Sequence, residues 1–332
     1  MPVTPHLLQG LVICYTNGNI RAIGRIKSKT MAISPKIQSL QEARGDITSI
    51  IDLALAEDIG TGDITSELLI PVEVQAEMLF VAREPMVACG LFVPGMVYER
   101  LKAMVTVENY CNEVQGVAKD TKLLKINGPA RALLTGERVA LNLMQRMCGV
   151  ATLTRRYVDA VAGTKAVILD TRKTMPGMRA VDKYAVRIGG GQNHRMGLFD
   201  MVMVKDNHIA MRIRDSGYRI QELMDDLRKK LSSLNPESRI LPPIIVECDT
   251  YDQVLEALAA KPDRILLDNM DLATMRRAVE MVGGRVPLEA SGGVSLETVR
   301  GIAETGVDYI SVGKLTHSAP NMDIGADIIY CK

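Results

Sequence analysis

Apolar and polar positions change rhythm about half-way along the chain. Residues 46–59, DITSIIDLALAEDI, begin with N-cap candidates and hold Ile50, Ile51, Leu53, Ala54 and Leu55 at helical spacing; Gly60-Thr-Gly62 ends the helix they predict. Residues 75–83, 104–107 and 122–126 read as strands set apart by Gly, Pro and Asn, which makes this part a mixed α+β unit. From 135 to 161 the pattern is helical, with Gly149 expected to divide it into two helices or to kink one. Beyond residue 165, short apolar runs recur at 166–169, 201–204, 244–246, 265–267, 286–288 and 309–312, each followed by an amphipathic stretch. That alternation predicts parallel strands with crossover helices, and the spacing of the last four, about twenty residues each, suits the βα units of an α/β barrel. Six runs do not demand eight strands, so an open or incomplete barrel fits equally well.

Composition narrows the class. A chain of 332 residues, 47% hydrophobic, can bury a sizeable core and is expected to hold two domains. A net charge of +1 supplies no general attraction to nucleic acid or to a membrane surface, and no apolar run is long enough to span a bilayer. The six cysteines are scattered without a C-x-x-C pair, which reads as reduced thiols in a cytosolic-type compartment rather than a zinc or disulfide framework. The leader is different: Arg21, Arg25, Lys27, Lys29 and Lys36 all precede the first acidic residue, Glu42. Residues 1–45 are therefore expected to be a leader or disordered extension, with an organelle transit peptide as the alternative to a cytoplasmic protein with an upstream start.

Charge is concentrated between the runs 166–169 and 201–204. Arg172, Lys173, Arg179, Lys183, Arg187, His194, Arg195 and Lys205 all fall there or at its end. Grouped cations repel one another, so the grouping predicts a ligand with several negative charges. The residues that follow the apolar runs are Thr171-Arg-Lys173, Lys205-Asp206, Glu247, Asp268, Ser291-Gly-Gly293 and Gly313-Lys314, and in a parallel barrel all of them converge on one rim. Glycine pairs in late barrel loops are often only tight turns; beside these cations they suit a phosphate approached by backbone N–H groups. Glu247 and Asp268 end buried runs, where each could simply pair with a nearby Lys or Arg. On neighbouring strands they better suit sugar hydroxyls or Mg²⁺, held directly or through water, since Mg²⁺ takes few carboxylates plus substrate phosphates. His194 and His208 lack the partners of a metal site, so hydrogen bonding is expected of His194 and structural contacts of His208 and His317. Lys205 at a strand end also fits a Schiff-base aldolase, although such an enzyme has no need of the other cations.

The motifs Gly60-Thr-Gly-Asp-Ile-Thr65, Gly136-Glu-Arg-Val-Ala-Leu-Asn142, Asp170-Thr-Arg-Lys-Thr174, Gly189-Gly-Gly-Gln-Asn-His-Arg195, Lys205-Asp-Asn-His208, Leu267-Asp-Asn269, Glu289-Ala-Ser-Gly-Gly293 and Gly306-Val-Asp-Tyr309 stand in one order over residues 46–330. In that order they resemble the quinolinate phosphoribosyltransferases. The resemblance implies an N-terminal α/β sandwich domain over 46–145, with the C-terminal end of the chain packing on it, and an open α/β barrel over 146–332. It implies transfer of phosphoribose from phosphoribosyl pyrophosphate to quinolinate with Mg²⁺, giving nicotinate mononucleotide, pyrophosphate and CO₂ in NAD biosynthesis. Arg172, Lys173, His194, Arg195 and Lys205 match the family's pocket for the quinolinate carboxylates, with Lys173 also near the pyrophosphate, and Thr171 counts among the substrate-binding residues. Glu247 and Asp268 match the groups at the ribose and metal, and Ser291, Gly292, Gly293 and Gly313 match the phosphate turns. Arg138 matches an arginine supplied by a second subunit, which implies a homodimer with a shared active site, higher assembly being left open. Met175 and Met178 depart from the family's usual residues and remove no charge. A barrel relative acting on another anion and a non-catalytic anion-binding scaffold are the remaining alternatives.

Overall fold

The structure, a computed structural model, describes residues 11–16, 19–25, 40–213, 220–234 and 241–330. Most of the expected leader lies outside them; within it, strands Leu11–Thr16 and Asn19–Arg25 pair antiparallel. The first helix, Leu40–Ile59, starts ahead of the predicted Asp46. Two compact units follow from the contacts: Met1–Ala151 with Ala180–Ile188 and Pro320–Lys332, and Thr152–Arg179 with Gly189–Ala319.

The first unit is built on a four-stranded antiparallel sheet in the order Ile324–Tyr330, Gln75–Ala82, Lys122–Pro129, Thr106–Asn109. Alternation decides which face of Gln75–Ala82 is covered: Ala76, Met78 and Phe80 are buried, while Gln75 is exposed. The last strand and the helix Arg179–Ile188 come from the stretch 146–332, so the barrel segment of the chain contributes elements to this unit as well. Arg146 forks onto the buried Asp182 of that helix at 2.9 and 3.0 Å.

Helix Ala130–Ala160 runs unbroken through Gly149, so the expected division into two helices does not occur. The glycine is needed for space: a Cβ there would stand 1.8 Å from the carbonyl oxygen of Pro320. Helix propensity weighed against Gly149, and close approach of another backbone segment overrode it.

The second unit carries six parallel strands in the order Val167–Leu169, Tyr309–Ser311, Leu288–Ser291, Arg264–Asp268, Ile244–Cys248, Val202–Val204. The first and last of that order do not pair with each other among the described residues, and Gln192 adds a single parallel bridge to Leu169. This is the open α/β barrel the spacing allowed. One strand sits later than predicted, Leu288–Ser291 instead of 286–288, because Pro287 has no N–H to give the ladder. Ile265, Leu267 and Ala290 are buried without any side chain reaching solvent, so the central strands read as nearly continuous apolar runs. The crossover helices are capped: Thr250 and Gln253 form a capping box, and Asp271 accepts from Thr274 N at 2.7 Å. Since the strands are parallel, their carboxyl ends lie on one rim.

Candidate active site

That rim opens into a pocket of about 450 Å³, and it is lined by Thr171, Arg172, Lys173, His194, Arg195, Lys205, Glu247, Asp268, Ser291, Gly292, Gly293 and Gly313. The volume is that of a small-molecule site. Arg138 is not among the lining residues; it stands on helix Ala130–Ala160 with 59% of its side chain exposed and Glu137 at 3.9 Å. Other members of the cationic stretch are used elsewhere. Arg179 donates to Thr174 Oγ1 and to the Met196 carbonyl, Lys183 is buried in the first unit, and the Arg187 guanidinium lies over the Tyr184 ring.

The carboxylate of Asp170, fully buried at the end of Val167–Leu169, ties two loops together: it accepts from Asn193 Nδ2 and from His194 N, both at 2.7 Å. Arg195 N then donates to His194 Nδ1 at 2.7 Å. With Nδ1 accepting, the ring proton belongs on Nε2, which stands 3.4 Å from Glu289 Oε1. Through Nδ1 the ring positions Arg195, and it lines the pocket as well. Arg195 reaches the Met201 carbonyl at 3.3 Å. Burial and then repulsion from Arg172 lower its pKa, with Asp200 and Glu247 opposing. An arginine so placed stays charged and is relieved by an anion. Arg172 lines the pocket, and its buried Nε has no hydrogen-bond partner.

Lys205, one residue past strand Val202–Val204, is paired with Glu247 Oε2 at 2.6 Å. A Schiff-base lysine must present a neutral amine, and this one is engaged as an ion pair. His208 keeps the structural role expected of it, its Nδ1 accepting from Lys205 N at 3.0 Å. Asp268 accepts from Asn269 Nδ2 at 2.8 Å. The turn Ser291-Gly-Gly293 requires its glycines: Gly292 has φ +95° and a Cβ there would stand 2.1 Å from Asn269 Oδ1, while Gly293 has φ +60°.

Among the polar pocket residues, Glu289, Ser311 and His317 were not placed at the site by the sequence, and Lys314 was placed only on the rim beside Gly313. Glu289 is fully buried, takes Arg264 Nη1 on Oε2 at 2.7 Å and accepts from Ser311 Oγ on Oε1. Burial opposes its charge, but His194, Ser311 and Arg264 together outweigh burial and hold its carboxyl below the usual range. The signal was a glutamate within the apolar run Val-Pro-Leu-Glu-Ala-Ser, which obliges a buried partner. His317, expected to be structural, lines the pocket instead.

Residues 63–148 match the N-terminal domain of quinolinate phosphoribosyl transferase and residues 150–327 match its C-terminal domain. The chain belongs to the quinolinate phosphoribosyltransferase family. Among its relatives, "Quinolinate phosphoribosyltransferase [decarboxylating] 2, mitochondrial" of Nicotiana glauca is 41% identical over 302 residues, covering 85% of this chain and 82% of that one. "Nicotinate-nucleotide pyrophosphorylase [carboxylating], chloroplastic" of Arabidopsis thaliana is 42% identical over 299 residues, covering 85% and 83%. The crystal structure of nicotinate-nucleotide pyrophosphorylase from Ehrlichia chaffeensis is similar at 42% identity with a TM-score of 0.76, covering 85% of this chain and 98% of that chain. Within this quinolinate phosphoribosyltransferase framework, no helix among the described residues is long and apolar enough to cross a membrane.

Proposed function

We propose that this chain transfers phosphoribose from phosphoribosyl pyrophosphate to quinolinate and releases CO₂, giving nicotinate mononucleotide and pyrophosphate. One observation carries the reading beside family membership: Arg172, Arg195 and Lys205 line the same pocket as Glu247 and Asp268, cations for a dicarboxylic acid beside acids for a sugar. Arg172 and Arg195 take the quinolinate carboxylates, and the glycines of Ser291-Gly-Gly293 and Gly313 take the phosphate. Lys173 stabilises the charge on the departing pyrophosphate, while Glu247 and Asp268 accept the ribose hydroxyls. Asp268 and Glu247 fit Mg²⁺ as oxygen donors for an ion that arrives with substrate phosphates; no group of three or more His, Cys, Asp or Glu able to hold a metal ion exists among the described residues. Bound there, Mg²⁺ would neutralise charge on the leaving pyrophosphate.

Attack of the pyridine nitrogen on the sugar carbon leaves that nitrogen cationic. The adjacent carboxylate can then depart as CO₂, because the electron pair left on the ring carbon lies beside the positive nitrogen. The chain's part is to orient that carboxylate and keep water from it, and no protein nucleophile is required. The test is incubation with quinolinate, phosphoribosyl pyrophosphate and Mg²⁺, followed for nicotinate mononucleotide and CO₂, with nicotinate replacing quinolinate as control. Product from nicotinate but none from quinolinate would overturn the reading.

Two finer points belong to the same reading. The exposed Arg138 suits delivery to the pocket of a second copy; Arg138→Ala and Lys205→Ala chains mixed as heterodimers should recover part of the activity, and none recovered would refute sharing. The acid-poor, basic leader and the organellar names of the plant relatives support an organelle as the alternative to the cytosol. Imaging of the full chain against one starting at residue 46, each fused to a fluorescent protein, separates the two.

A further inference from the structure

Lys205 and Glu247 follow the paired residues Val204 and Val246 of neighbouring parallel strands, so the register itself brings them side by side. Their contact is 2.6 Å, with 40% of the Lys205 side chain exposed but only 11% of that of Glu247. One ammonium neutralises one carboxylate. A ligand carboxylate added to Lys205 while Glu247 stayed would leave a part-buried negative charge uncompensated, which is costly.

We propose that Glu247 acts as an internal stand-in for the substrate's second carboxylate, and that its displacement couples the two substrates. The inference rests on the reading that the pocket takes quinolinate and phosphoribosyl pyrophosphate. If the acid binds alone, it takes Lys205 and leaves Glu247 without a partner. The sugar phosphate alone draws Glu247 to its hydroxyls and leaves Lys205 unpaired. With both present, Lys205 faces the carboxylate and Glu247 faces the ribose, so the ion pair is broken once for two new contacts. Each substrate therefore tightens the other, and by the same factor. The exchange also favours a dicarboxylic acid: a monocarboxylate seated on Arg172 and Arg195 has no second group with which to release Glu247.

Phthalate carries the same two adjacent carboxylates without a ring nitrogen that could attack the sugar, so it reports binding without turnover. Calorimetric titration of the wild-type chain should show phthalate binding at least about fivefold tighter when phosphoribosyl pyrophosphate and Mg²⁺ are saturating, within the usual range of such couplings. The converse titration should give the same factor. In Glu247→Gln, phthalate alone should bind tighter than it does to wild type, and the effect of the sugar phosphate should vanish. Equal phthalate affinity with and without the sugar phosphate in wild type overturns the exchange, a result that needs no variant to fold. So does a Glu247→Gln chain that binds phthalate no more tightly. Quinolinate turnover accompanied by either result removes this inference alone, whereas absence of both turnover and phthalate binding removes the functional reading as well.

Discussion

Glu289 meets Arg264 beneath the pocket, Oε2 to Nη1 at 2.7 Å, and the Arg264 guanidinium lies 3.9 Å from the centre of the Tyr309 ring. The pair is part of the barrel interior, and the other carboxylate oxygen serves Ser311 and faces His194. Through His194 the buried acid supports the backbone from which Arg195 enters the pocket.

Glu289→Ala should therefore destabilise the chain by about 3–5 kcal/mol, the usual cost of removing one partner of a buried ion pair, measured by urea unfolding. The same group gives a pH signature. Its folded pKa is lowered, so its stabilisation is complete above the unfolded value of about 4.3 and is lost as pH falls through the lower folded value. Acid unfolding of wild type should accordingly be steeper below that point than acid unfolding of Glu289→Gln. Superimposable acid limbs would take Glu289 out of the account.

Arg172 and Arg195 repel each other across part-buried surroundings, and a carboxylate between them removes that repulsion. Arg195→Met should raise KM for quinolinate, at a cost of about 2–5 kcal/mol in kcat/KM, while KM for phosphoribosyl pyrophosphate changes little. Steady-state kinetics with each substrate varied separately decide the point. A loss that fell equally on both substrates would argue for a general disturbance of the rim.

The parallel strands were legible because the central ones are buried on both faces, so that an apolar run and the charge that stops it mark a carboxyl end. Lys205, Glu247 and Asp268 could be located on that basis. What the pattern could not carry was pairing between distant parts of the chain. Nothing near Glu247 in sequence says that its partner is Lys205, and nothing near Glu289 points to Arg264 and His194. His194 lines the pocket as expected, but its bond to the Arg195 N–H and its approach to Glu289 could not be read from the sequence. The strand Ile324–Tyr330 likewise joins a sheet begun at Gln75, a pairing set by tertiary contact rather than by local pattern.

The phosphate turn gives a sharper test of backbone geometry. Gly292→Ala asks an L residue to hold φ +95° and sets a Cβ against Asn269, both side chain and backbone. The turn must shift, and its N–H groups move with it. KM for phosphoribosyl pyrophosphate should rise at least about tenfold, since misplacing a positioned group by an ångström is enough for larger losses. A variant with unchanged KM would dissociate this turn from phosphate binding.

Gly149→Ala sets two effects of opposite sign against each other. In an ordinary exposed helix the change would gain roughly 0.8–1.0 kcal/mol of propensity. In helix Ala130–Ala160 the new methyl would meet the Pro320 carbonyl oxygen at 1.8 Å and the Asn321 Cα at 3.3 Å. Backbone cannot swing aside as a flexible side chain does, and here the opposing segment is further held by Met322 N, which donates to the Gln145 carbonyl at 3.0 Å. Overpacking of this kind typically costs about 1–3 kcal/mol, so the clash wins and the variant should melt below wild type. Thermal unfolding followed by circular dichroism checks the sign directly. A Gly149→Ala chain that melts higher than wild type would mean that the glycine serves neither packing nor close approach, and that the segment at Pro320 is free to withdraw.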